Sequence, residues 1–252
     1  QVGDQTYNIG RNAVLGAGWP ETVPGVTIDR QCGSSQQSIH FAAQGVMAGA
    51  YDVVVAAGVE SMSRVPMGSS MATGKPFGER MRERYQDNLI PQGLSAEMIA
   101  ERWGIGREEL DRIGYDSQMR AIVATEERRF DREIVPIEVK AEGAVTTVFT
   151  DEGLRPTTTV ETLGALRPAF KEDGVVTAGN SSQITDGAAA LLIMSSEKAQ
   201  QLGLKPRARF VSFSLAGTDP ISMLTGPIPA TAKALGKADL TIDDIDLFEV
   251  NE

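Results

Sequence analysis

The chain has 252 residues, 41% of them hydrophobic and 23% charged, and carries a net charge of −10 at neutral pH. That length allows one or two domains with a sizeable core, and the acidic balance, without a basic stripe, argues against a nucleic-acid or anionic-membrane partner. A single cysteine and a single histidine exclude an intrachain disulfide, argue against a zinc site, and fit a reducing, cytoplasmic compartment.

Taken in chain order, residues 6–17 are compatible with a short helix. Residues 26–31 alternate Val26 and Ile28 with polar neighbours and predict a strand. Residues 32–49 have helical spacing, and 52–58 form an apolar run of the kind seen in strands covered on both faces. Strand, glycine-ended helix and strand together predict a parallel crossover. Residues 61–95 change character, with Met62, Met67, Met71, several glycines and prolines, and a charged run from Glu79 to Arg84. They predict an insertion of loops and short helices. Residues 95–104 and 107–129 predict two helices. In the second, Glu108, Glu109 and Asp111 near the start and Arg128 and Arg129 near the end suit the helix dipole.

Residues 134–149 predict strands around a turn at Glu142-Gly143, followed by a polar connection to residue 159 and a short helix over 160–166. Regular alternation then resumes: a strand over 188–194, a helix from Ser195 to Gly203, a strand over 208–215, a helix over 229–237 and a strand over 245–250. The pattern is a layered α/β domain interrupted by a long mixed insertion. No run of apolar residues reaches membrane-spanning length, and no signal peptide is visible. The sequence begins at Gln1 and stops two residues after an apolar strand-like run, which reads as a segment of something longer.

Cys32 is the residue with the most chemistry in it. It sits where the first strand-like run gives way to a helix, flanked by Gly33-Ser34-Ser35. A thiol at a helix N-terminus faces unpaired backbone N–H groups and the positive end of the dipole, both of which favour the nucleophilic thiolate. The alternative is a buried cysteine that serves as a small hydrophobe. His40 lies eight residues further along the same helix, a rise of about 12 Å, whereas a base must come within about 3 Å of the proton it takes. His40 is therefore expected to pack or hydrogen-bond locally.

Four segments carry a resemblance. They are Arg30-Gln31-Cys32-Gly33-Ser34-Ser35, then Gly58-Val59-Glu60-Ser61-Met62-Ser63, then Thr177-Ala178-Gly179-Asn180-Ser181-Ser182 running on through Asp186-Gly187-Ala188-Ala189, and finally Glu249-Val250-Asn251-Glu252. The stretch Gly226-Pro227-Ile228-Pro229-Ala230 lies between the last two. In this order, over essentially the whole chain, they resemble the thiolase family of acetyl-CoA acetyltransferases and 3-ketoacyl-CoA thiolases.

The resemblance implies a reversible Claisen condensation, or its thiolytic reverse, on coenzyme A thioesters through an acyl-cysteine. Coenzyme A and acetyl-CoA enter as substrates, with no permanently bound cofactor and no metal. Cys32 is then the acyl-accepting nucleophile, and Asn251 holds the water of an oxyanion hole. Ser182 matches a serine that hydrogen-bonds the pantetheine arm. Arg155 stands where the family has an arginine near the adenine end, and Met223 aligns with a methionine lining the acyl pocket.

The implied fold is a layered α/β/α/β/α body with an inserted mixed α/β loop domain. Residues 1–61 and 184–204 would belong to the first half, 62–183 to the loop domain, and 205–252 to the start of the second half. A homodimer or homotetramer is implied. The family's activating histidine and second catalytic cysteine follow its Asn-Glu pair, and neither is in this sequence, so the chain reads as truncated at both ends. Pro91-Gln92 stands where short-chain biosynthetic members carry His-Met, which leaves a broader 3-ketoacyl-CoA range open. The other readings are a non-catalytic acyl-CoA-binding or dimerisation module and a decarboxylating condensing enzyme, whose histidines at the corresponding places are missing here.

Overall fold

A computed structural model of the chain describes residues 2–141 and 143–251. Among them the helices and strands run in the order α1 (Ile9–Gly16), α2 (Ser34–Met47), β1 (Val53–Ser61), α3 (Glu79–Tyr85), α4 (Gln92–Trp103), α5 (Arg107–Glu126), β2 (Ile137–Ala141), β3 (Ala144–Val148), α6 (Val160–Gly164), β4 (Asp186–Met194), α7 (Ser196–Gln201) and α8 (Pro227–Ala238). They fall into two compact units. The first comprises residues 2–84, 184–216 and 227–246; the second comprises 85–183, 217–226 and 247–251.

In the first unit β1 and β4 pair antiparallel without a break, from Val53 opposite Met194 to Ser61 opposite Asp186. Alternation along a strand sends successive side chains to opposite faces. Ala56 and Ile193 therefore share the face on which α2 lays Ile39, Ala42, Ala43 and Val46, with Val54 and Phe213 at the margin. Ala42, Ala43 and Ala56 are small, so the helix settles close to the strands. At Gly58 a Cβ would lie only 2.6 Å from the Cβ of Ser35, so glycine there lets the first turn of α2 rest on β1. The other face carries Val53, Val55 and Val59 with Leu192 across from them, all exposed.

The parallel crossover is corrected by this pairing. Residues 26–31 form no ladder among the described residues; only an isolated bridge links Arg30 with Cys32. The partner of β1 is β4, antiparallel and far along the chain. Residues 208–215 and 245–250 are likewise outside any ladder. The alternation in 208–215 is nevertheless used. Ser212 and Ser214 donate through Oγ to the Ala234 and Ala230 carbonyls of α8, and Lys237 Nζ donates to the Phe213 carbonyl at 2.8 Å. Phe213, between the two serines, meets the His40 ring edge-on at 5.0 Å. Alternation fixes which way side chains point, but a ladder also needs a neighbouring backbone, and that is a tertiary matter.

The second unit is built on α4 and α5, with the hairpin β2–β3 paired from Ile137 opposite Val148 to Ala141 opposite Ala144. The expected turn falls at Gly143, whose φ of 82° lies in the left-handed region that glycine tolerates; Glu142 is outside the described residues. α6 opens on a capping box in which Thr159 and Thr162 bond each other's backbone amides. No helix of the described residues is long and apolar enough to cross a membrane.

Candidate active site

Cys32 lies in the first unit on a tight turn, as an exposed residue with a free thiol. α2 starts two residues later than the spacing predicts, with Gly33 as its N-cap and no side chain capping the first turn. The residue before the cysteine, Gln31, has φ 49°, a left-handed conformation that costs a side-chain-bearing residue energy. Four hydrogen bonds hold it there. Gln31 N–H donates to Asp29 Oδ1 at 3.1 Å and Ser34 Oγ donates to the Gln31 carbonyl. Arg30 N–H donates to Ser34 Oγ at 2.9 Å, and Ser34 N–H returns to the Gln31 carbonyl at 3.1 Å. Arg30 Nη1 reaches Gln37 Oε1 at 3.1 Å on the next turn of α2. The bond from Gln31 N–H is the main cause that holds the Asp29 carboxyl below its ordinary range. The arrangement presents the sulfur on a strained turn at the mouth of a helix.

His40 is not poised as a base. Its ring packs on Phe213, and burial, helped by the charge of Arg30, holds its imidazole below the ordinary value. At the far end of β1, Asp186 accepts from the Ser63 hydroxyl and, at 2.9 Å, from Ser63 N–H, with Ser61 Oγ at 3.3 Å. These bonds, the Ser63 hydroxyl first, keep the Asp186 carboxyl below its usual range. They clasp the start of β4 to the Gly58–Ser63 motif.

Ser182, Arg155, Met223 and Asn251 all belong to the second unit, and all four are exposed. Two of them are brought into one neighbourhood. Gln183 Nε2, next to Ser182, donates to the Gly153 carbonyl at 2.7 Å, and Arg155 N–H donates to Gln118 Oε1 of α5 at 2.9 Å. The Arg155 guanidinium bends back on its own turn, with Nη1 donating to the Glu152 carbonyl at 2.8 Å. Met223 sits at φ 32° in a turn organised by Asp219. That carboxylate takes the N–H of Ser222 at 3.1 Å, its hydroxyl at 2.9 Å and the N–H of Ile221 at 3.2 Å. Ser95 of α4, fully buried, donates through Oγ to the Ile221 carbonyl at 2.6 Å. Asn251 lies in a stretch with no regular secondary structure, outside any ladder; the Glu252 that follows it in the motif is outside the described residues. Among the described residues no group of three or more His, Cys, Asp or Glu side chains is placed to hold a metal ion.

Comparison with known proteins decides the family. Residues 1–197 match the thiolase N-terminal domain and residues 204–252 the thiolase C-terminal domain. The chain belongs to the thiolase family. A steroid 3-ketoacyl-CoA thiolase of Mycobacterium tuberculosis is 45% identical over 259 residues, covering 100% of this chain and 62% of that protein. A 3-ketoacyl-CoA thiolase of Pseudoalteromonas translucida is 46% identical over 254 residues, covering 100% of this chain and 64% of its own length. The crystal structure of the Bacillus anthracis acetyl-CoA acetyltransferase matches with a TM-score of 0.85 at 41% identity, over 98% of this chain and 64% of that one. The α/β fold of this thiolase is thus shared with solved relatives. The chain spans less than two thirds of the length of these relatives.

Sequence reasoning gave no individual role to Ser95 or Glu97 on α4, and it set Asp111 with the acids near the start of α5 that suit the helix dipole. The structure buries all three. The available signal was polar residues on the apolar side of helical spacing, close to glycines that admit another segment.

Proposed function

We propose that this thiolase transfers acyl groups between coenzyme A molecules, by reversible Claisen condensation and thiolysis of 3-ketoacyl-CoA and acetyl-CoA. Cys32 Sγ attacks the thioester carbonyl. The new sulfur–carbon bond forms as the coenzyme A sulfur–carbon bond breaks, and the departing thiolate takes up the proton the cysteine gave up. Thioester replaces thioester, so the step is close to balanced in free energy. The observation that carries this reading is the exposed Cys32 on its strained turn at the start of α2, in a chain 45% identical to a steroid 3-ketoacyl-CoA thiolase.

In this reading Asn251 holds the water of an oxyanion hole, where charge developing on the thioester oxygen is stabilised. Ser182 meets the pantetheine arm, Arg155 the adenine end and Met223 the acyl chain. Coenzyme A is a substrate, not a resident cofactor. Residues 1–61 with 184–204 form one half of the catalytic body, 62–183 the loop domain, and 205–252 the start of the other half. The protein works in the cytoplasm as a homodimer or homotetramer.

Acid-quenched mass spectrometry after mixing with acetyl-CoA tests the chemistry. An acetyl mass on the Cys32 peptide is expected, together with its loss and the loss of acyl transfer in Cys32→Ala. Acyl transfer that persists in the variant overturns the assignment.

A further inference from the structure

The turn over 174–182 is held by two buried carboxylates that the acyl-transfer step does not use. Glu97, on α4, is 7% exposed, and its two oxygens accept the N–H groups of Val175 and Val176 at 2.9 Å each. Asp111, on α5, is 2% exposed. One of its oxygens accepts from Arg107 Nε at 2.7 Å, the other from Asn180 Nδ2 at 3.0 Å. Arg107 is fixed in turn, its Nη2 donating to the Leu163 and Leu166 carbonyls at 2.6 and 2.9 Å.

Asn180 uses both ends of its amide inside this network. Its Oδ1 accepts from Thr177 N–H at 2.8 Å, and Nδ2 also donates to the Val175 carbonyl at 3.1 Å. Thr177 is fully buried, and Ser181 Oγ donates to its carbonyl at 2.7 Å. α5 approaches so closely that a Cβ at Gly114 would lie 2.4 Å from the Gly179 carbonyl oxygen. Burying ionised carboxylates is costly, and a turn that merely joined two elements would not need them. These hydrogen bonds tie the turn down as far as Ser181, the residue before Ser182.

We propose that Asn180, braced by Asp111, is a positioning residue for coenzyme A thioester recognition. It fixes the 177–181 backbone so that Ser182 meets the pantetheine arm in a preformed geometry, which lowers the ordering cost of binding. The proposal rests on the role given to Ser182 above.

The test measures Cys32 acylation in the intact protein with two donors. One is acetyl-CoA; the other is S-ethyl thioacetate, which has no pantetheine arm. Asn180→Ala is expected to raise the acetyl-CoA concentration for half-maximal acylation by about tenfold or more, with the maximal rate within about threefold of wild type. Acylation by S-ethyl thioacetate should match wild type. Ser182→Ala should show the same pattern, and the double variant should be no worse than Ser182→Ala alone, because both act on one contact.

Multiplying effects overturn the proposal, as does equal loss with the small thioester. A Ser182→Ala effect without an Asn180→Ala effect overturns it alone; an inert Ser182→Ala overturns the Ser182 role and the proposal together. If Asn180→Ala does not fold, Asn180→Asp and its combination with Asp111→Asn replace it. The combined swap restores a donor–acceptor pair between the two positions and should recover acetyl-CoA affinity over Asn180→Asp; no recovery overturns the proposal.

Discussion

Two turns of this thiolase make opposite use of strain and burial. The turn at Cys32 is exposed, forces Gln31 to φ 49°, and is held mainly by short-range hydrogen bonds to Asp29 and with Ser34. The turn at Asn180 is held from α4 and α5 by Glu97 and Asp111, residues far away in sequence and shut off from water. Under the proposed acyl transfer the Cys32 sulfur must remain reachable, and a turn held by local bonds that water can compete with leaves it so. The turn proposed for recognition gains from being the same before and after the ligand arrives, and buried partners supply that.

If the contrast is sound, the largest effect belongs to the buried side. Asp111→Ala leaves Arg107 and Asn180 without their carboxylate and should cost about 3 kcal/mol of stability, read from the urea midpoint at unchanged slope. A loss below about 1 kcal/mol would place Asp111 with ordinary surface acids. Next comes the seat of the Cys32 turn. Gly58→Val puts a Cβ 2.6 Å from the Cβ of Ser35 and should cost about 1–3 kcal/mol by pushing the start of α2 off β1. The rate of Cys32 alkylation should change with it, and an unchanged rate would detach the sulfur from that packing.

The smallest effect sharpens the exposed side. Gln31 N–H holds the Asp29 carboxyl below its ordinary range, so the bond contributes fully above the unfolded pKa. Its contribution is lost as pH falls through the lowered folded value. The Gln31 amide resonance should therefore titrate with a midpoint below that of an unperturbed aspartate. A midpoint at the ordinary value would remove Asp29 from the turn.

Cys32 and the Gly179-Asn180-Ser181-Ser182 run were legible because each is a contiguous word at the edge of a periodic element. The helices α2, α4 and α5 were legible through spacing. The bracing role of Asp111 was not legible because three acids near a helix start look alike in sequence, whereas in the fold Asp111 turns toward Arg107 and Asn180. The burial of Glu97 was not legible, since a charged residue in a helix is usually solvated, whereas here Gly174 admits its carboxylate: a Cβ there would lie 2.2 Å from Glu97 Oε1.

By itself the sequence determined the family's motifs, the lone thiol and the course of most helices, since these depend on residues near one another in the chain. Only the tertiary structure decided that β1 pairs antiparallel with β4, that 26–31, 208–215 and 245–250 stay outside any ladder, and that buried acids brace the Asn180 turn. A strand's partner and a carboxylate's burial are set by which distant backbone arrives beside them, and periodicity along one segment carries no record of that.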